Sequence, residues 1–117
     1  MKEITIYHNP RCTKSRATLE LLEKRGIKPR IVEYLKDTPS AAELKTILRK
    51  LGIKPEALVR KGEDVFKQKY AGKQLTDAQW IDAMIADPIL IERPIVVTEG
   101  EAAIGRPPEN VIRLLKN

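Results

Sequence analysis

The sequence predicts an α/β domain on a four-stranded mixed sheet, laid down as βαβ, a helical insertion, then ββα. Three observations carry this. A strand, a helix and a second strand follow one another within residues 2–34, the spacing of a right-handed parallel βαβ unit. Residues 40–87 carry only helical signatures. An apolar β-branched run at residues 94–98 then meets the turn signal Glu99-Gly100, residues 101–104 complete a hairpin, and a last helix follows.

The first strand spans residues 2–7, and the helix from Thr13 to Arg25 carries Ala17, Leu19, Leu21 and Leu22 before Gly26 stops it. A short strand at residues 30–34 closes the unit. Ser40 and Glu43 form a capping box, and Leu44, Ile47, Leu48 and Leu51 fall at i, i+3, i+4 and i+7 ahead of Gly52. Pro55 opens a short helix to about Arg60, another covers residues 63–70, and Thr76 with Gln79 caps a helix bearing Trp80, Ile81, Met84 and Ile85. Residues 94–98 and 101–104 form the hairpin, and Pro107-Pro108 starts a helix to Leu115. This order matches the thioredoxin fold. No Ser/Gly-rich linker sets the helical segment apart, so the 117 residues are expected to form one domain with an insertion at about 40–87.

The chain carries 22 Lys plus Arg against 16 Asp plus Glu, a formal net charge of +6 that favours anionic partners. Its basic residues are scattered and its aromatics few, which argues against nucleic-acid binding. With no long apolar run and no leader pattern, neither a membrane span nor a signal peptide is expected. One unpaired cysteine agrees with a reducing compartment, and the expected location is the cytoplasm.

That cysteine, Cys12, falls where the first strand breaks at His8-Asn9-Pro10-Arg11 and the first helix begins. The N–H groups of a helix's first turn have no intrahelical partners, so a sulfur there gains hydrogen bonds and the positive end of the dipole. A lone cysteine is ordinarily a small buried hydrophobe, but the basic, polar neighbours of Cys12 point to a thiolate nucleophile. Ser15 stands where dithiol redox sites carry a second cysteine, so Cys12 has no resolving thiol within the chain. The Ser15 hydroxyl has two open roles, donating to the sulfur or a bound anion, or capping the helix. His8, the sole histidine, offers no metal-ligand set; it is placed to hydrogen-bond the sulfur or its loop, or to favour the thiolate as imidazolium. The hairpin joins Arg93 to Arg106, and two guanidinium forks brought together call for an anion between them. A cis bond before Pro94 would fit a tight turn there, trans being the general expectation.

Taken together, His8-Asn9-Pro10-Arg11-Cys12 with Ser15-Arg16 and Thr18-Leu19, Leu58-Val59-Arg60, residues 88–97, and Gly105-Arg106-Pro107-Pro108-Glu109 resemble the thioredoxin-fold, glutaredoxin-linked arsenate reductases. The resemblance spans nearly the whole chain. It implies that Cys12 is the nucleophile, that His8 assists it, that Ser15 belongs to the active loop and that Pro94 is the cis proline of the fold. It also implies that Arg60, Arg93 and Arg106 bind the oxyanion. No bound cofactor is implied; glutathione and glutaredoxin would supply the electrons from outside. Two other readings stay open on the residues. One is a monothiol oxidoreductase acting on glutathione mixed disulfides. The other is a protein-binding regulator of the Spx type, whose Cys-x-x-Cys switch Ser15 denies to this chain.

Overall fold

The computed structural model describes residues 3–115, which form two compact units. The first comprises residues 3–37 and 93–115, and the second is Thr38–Glu92.

In the first unit, β1 (Thr5–His8), α1 (Thr13–Lys24) and β2 (Arg30–Glu33) form the parallel βαβ element. The hairpin of β3 (Ile95–Val97) and β4 (Ala102–Ile104) adds to the other side of β1, giving the order β2-β1-β3-β4. β1 is parallel to β2 and antiparallel to β3, so the sheet is mixed as expected. β1 begins later than its apolar run and extends through His8, because Ile6 and His8 share the buried face.

One core holds this unit: Ile4, Ile6, Leu22, Val96, Ala103, Val111 and Leu114, with Leu19, Leu21, Ile27 and Leu115 packed against it. Burying each large aliphatic side chain there contributes about 1.5–3 kcal/mol. The inward stripe of α1 differs from its apolar pattern: Ser15, Thr18 and Leu22 are buried, while Ala17 is exposed. Hydroxyls fit this interior because each finds partners, Thr18 donating to the Lys14 carbonyl at 2.8 Å. The last segment, Pro108–Leu115, is a 3-10 helix. Its buried residues Val111 and Leu114 stand i and i+3 apart, which superposes them on one face at three residues per turn.

The second unit contains α2 (Ala41–Leu51), α3 (Asp64–Lys69) and α4 (Asp77–Ala86), with 3-10 turns at Pro55–Leu58 and Pro88–Leu90. Both capping boxes form, Ser40 with Glu43 and Thr76 with Gln79. Gly52 ends α2 in the left-handed region at φ 71°, where its N–H reaches the Leu48 and Arg49 carbonyls. The helix from Pro55 stops at Leu58, short of Arg60, because Val59 turns extended and bridges Ile91 in antiparallel fashion. The Arg60 N–H donates to the Leu90 carbonyl at 2.7 Å and the Glu92 N–H to the Leu58 carbonyl at 2.9 Å. Phe66 stacks on Trp80 with centroids 6.1 Å apart. Beside them burial and the Asp87 carboxylate, which accepts its hydroxyl at 2.7 Å, push Tyr70 up to about 12.

Candidate active site

Cys12 is the N-cap of α1, extended at φ −92° and ψ 124°. The turn that delivers it is built by Asn9, which is 5 % exposed and bonded through three groups. Its carbonyl accepts the Cys12 N–H at 2.9 Å, its side-chain oxygen accepts the Arg11 N–H at 3.0 Å, and its N–H donates to Ser15 Oγ at 3.0 Å. Arg16 Nη1 holds the Pro10 carbonyl at 2.9 Å. Asparagine's capacity to bond the backbone two residues on makes it a turn residue.

Ser15 is fully buried, and its hydroxyl faces neither the sulfur nor solvent. It lies 2.7 Å from His8 Nδ1 while accepting the Asn9 N–H. Burial lowers His8 below its ordinary value, with Arg16 adding to the effect and Glu33 opposing it. A neutral ring with its hydrogen on Nε2, assigned from the network, lets Ser15 donate to Nδ1 and satisfies all three groups. His8 thus fixes the loop through Ser15, and the imidazolium role is not the one this geometry favours. The Ser15 side chain also differs from both roles open to it in the sequence; its backbone N–H serves the sulfur instead.

Four groups act on that sulfur. Burial alone would raise the Cys12 thiol, but the Ser15 N–H, the Arg93 side chain, the Lys14 N–H and the Arg106 charge outweigh it and bring it below its ordinary value. Arg106 Nη2 lies 3.3 Å from Sγ, and Arg106 Nε donates to the Arg93 carbonyl at 2.8 Å.

The hairpin register explains the arginine pair. Ile95 stands opposite Ile104, and the Gly105 N–H donates to the Pro94 carbonyl at 2.9 Å, so pairing continues to the residues just inside Arg93 and Arg106. Both Arg93-Pro94 and Arg106-Pro107 are cis, the second without a signal in the residue pattern. Both forks reach the Cys12 sulfur and favour its anionic form. A further device was not read from sequence: Gly105 approaches Thr18 of α1 so closely that an added Cβ would lie 2.5 Å from Thr18 Oγ1 and 2.8 Å from Pro94 Cγ. A glycine between a strand and an arginine is the only trace of it.

Arg60 belongs to the second unit. Its Nε donates to Glu63 Oε2 at 3.0 Å and its Nη1 to Glu92 Oε1 at 2.8 Å. Burial would lower this guanidinium, but the two carboxylates prevail and raise it.

A mixed four-stranded sheet, a cysteine at the start of the first helix and a cis proline beside it define a thioredoxin-like thiol protein. The chain belongs to the ArsC family, whose model matches residues 7–114. Among relatives, an arsenate reductase of Neisseria meningitidis serogroup A is 46 % identical over 98 % of this chain and 100 % of its own. The uncharacterized protein YfgD of Escherichia coli K12 is also 46 % identical, over 97 % of this chain and 98 % of its own. Among solved structures, an arsenate reductase from Vibrio cholerae superposes with a TM-score of 0.91 at 47 % identity, covering 95 % of this chain and 96 % of that one.

Proposed function

We propose that this protein is an arsenate reductase in which the Cys12 thiolate attacks arsenic and an external thiol completes the reduction. The observation that supports the reading best is the Arg106 guanidinium 3.3 Å from Cys12 Sγ, with Arg93 also bonded to the sulfur. Such forks match a tetrahedral oxyanion and lower the repulsion between it and a thiolate.

In this reading the N–H groups of the first turn of α1, with Arg93 and Arg106, hold arsenate against Sγ. The thiolate forms an S–As bond and one arsenate oxygen leaves as water after taking up protons. Glutathione then adds to the adduct. Arsenic gains two electrons and departs as arsenite, while two thiols lose them and become a disulfide, which glutaredoxin reduces. Cys12 has Ser15, not cysteine, three residues on, so the second thiol comes from outside the chain. A glutathione and glutaredoxin supply fits a cytoplasmic setting. Arg60 enters through the family resemblance alone, and an Arg60→Ala variant with a raised KM for arsenate would support its part.

The test is a coupled assay with arsenate, glutathione, glutaredoxin and NADPH consumption as readout. Turnover that disappears in Cys12→Ser supports the reading, and turnover surviving that change refutes it.

A further inference from the structure

We propose that, independently of the reaction assigned to Cys12, the outer edge of β2 is a self-association surface on which a second copy of this chain pairs antiparallel about a two-fold axis at Ile31.

β2 and β4 are the two edges of the sheet, and they are finished differently. On β4 the Glu101 carbonyl accepts the Thr98 N–H within the hairpin, so the next carbonyl, that of Ala102, faces outward. Arg113 covers it, donating from Nη2 at 2.9 Å while its Nη1 holds Glu101 Oε2 at 3.3 Å. β2 has β1 on one side and, among the described residues, no strand on the other. Arg30, Ile31 and Glu33 are exposed, and Ile31, at 47 %, is the most exposed large apolar side chain among the described residues. Folded chains blunt such an edge, as Arg113 does on β4, or pair it.

The hydrogen-bonding groups along β2 define what fits it. The Arg30 N–H donates inward to the Ile4 carbonyl at 2.8 Å, so across the planar peptide the Pro29 carbonyl points outward. Alternation along the strand then turns the backbone groups of Ile31 and Glu33 outward as well. The Glu33 carbonyl already accepts the Lys36 and Asp37 N–H groups, each at 2.9 Å, which fills its lone pairs. The edge therefore offers the N–H groups of Ile31 and Glu33 as donors and the carbonyls of Pro29 and Ile31 as acceptors. With Ile31 opposite the partner's Ile31, Glu33 stands opposite the partner's Pro29, which has a carbonyl and no N–H. Every donor of each copy then meets an acceptor of the other.

Charge agrees with this register. Residues 24–30 hold four cations and no acid, whereas residues 33–37 hold Glu33 and Asp37 against Lys36 alone. Antiparallel pairing lays the basic end of each copy beside the net negative end of the other, and identical residues meet only at the apolar Ile31. The product is a two-fold dimer in which two four-stranded sheets become one.

The test is sedimentation equilibrium of the full chain from about 10 µM to about 1 mM, with amide hydrogen exchange followed residue by residue over the same range. So short an edge gives a weak, reversible pair. The mean mass is expected to climb from one chain's towards two, and exchange at the Ile31 and Glu33 N–H groups to slow by about fivefold at the highest concentration. Ile31→Lys sets like charges face to face at the axis and should hold the mass at one chain. Leu35→Lys changes another exposed apolar side chain, beyond the paired residues, and should leave association intact. A chain that stays single throughout overturns the proposal. Association that leaves exchange at Ile31 and Glu33 unchanged also overturns it, because the interface then lies elsewhere. So does association that survives Ile31→Lys, or that Leu35→Lys abolishes as fully, which would make it a contact between apolar patches. Exchange is read in the parent chain and needs no variant to fold.

Discussion

Gly105→Ala tests how the helix carrying Cys12 is locked to the strand end carrying Arg106. The new Cβ would lie 2.5 Å from Thr18 Oγ1, 2.8 Å from Pro94 Cγ and 3.1 Å from Thr18 Cγ2. Carbon pairs are at their best separation near 3.5–4.0 Å, so the overlap with Pro94 is about 1 Å. Thr18 and Pro94 are both buried, and neither neighbour is a free end that can swing away. Overpacking of this kind costs about 1–3 kcal/mol, which for a chain of this size lowers Tm by about 4–12 °C. Thermal and urea unfolding give the value. Thr18→Ala removes two of the three clashing atoms, so in the double variant the losses should fall short of their sum by about 0.5 kcal/mol or more. Because Gly105 immediately precedes Arg106, the same variant should slow alkylation of Cys12 near neutral pH. A stability within about 0.5 kcal/mol of the parent, or strictly additive losses with Thr18→Ala, would refute the locking argument.

Ser15→Ala leaves the Asn9 N–H and His8 Nδ1 without their common partner in a buried loop, so a loss of about 1–3 kcal/mol is expected in urea unfolding; a neutral result would show that the loop does not depend on this hydroxyl. His8 is held below its ordinary value in the folded chain, so as pH falls the unfolded chain takes up the proton first. The associated stability is therefore full above about pH 6.5 and is lost as pH drops through the folded value, a slope that His8→Gln should flatten. Equal slopes in the two proteins would count against a buried neutral His8. Arg60→Ala leaves Glu63 and Glu92, each less than a third exposed, without the cation they share. A stability loss of about 1–2 kcal/mol is expected, recovered in part by Glu63→Gln in the same chain; full stability in the single variant would contradict the bridging role.

Much of the fold was legible because its signals are local. The boxes at Ser40 and Thr76, the i, i+3, i+4 spacing from Leu44 and the turn at Glu99-Gly100 each act within a few residues, and each element formed where expected. The pairing of Val59 with Ile91 joins segments far apart in sequence, so no local pattern announces it, and it shortened the helix at Pro55. At the site, Cys12 was legible from a strand-to-helix junction and the arginine pair from the hairpin. Ser15 and Thr18 were harder, since hydroxyls on a helix read as surface until their partners at Asn9, His8 and Lys14 are seen. Arg60 illustrates the converse: its motif was recognisable, but the carboxylates of Glu63 and Glu92 that occupy it were not.

The account turns on Cys12 being a thiolate at working pH. Since it is the sole cysteine, the rate of its alkylation by iodoacetamide, followed against pH, reports on that sulfur alone. The account predicts a midpoint below the value of free cysteine, about 8.5, and an upward move when Arg106→Gln removes the charge beside Sγ. A midpoint at or above the free value, unmoved by that substitution, would contradict it.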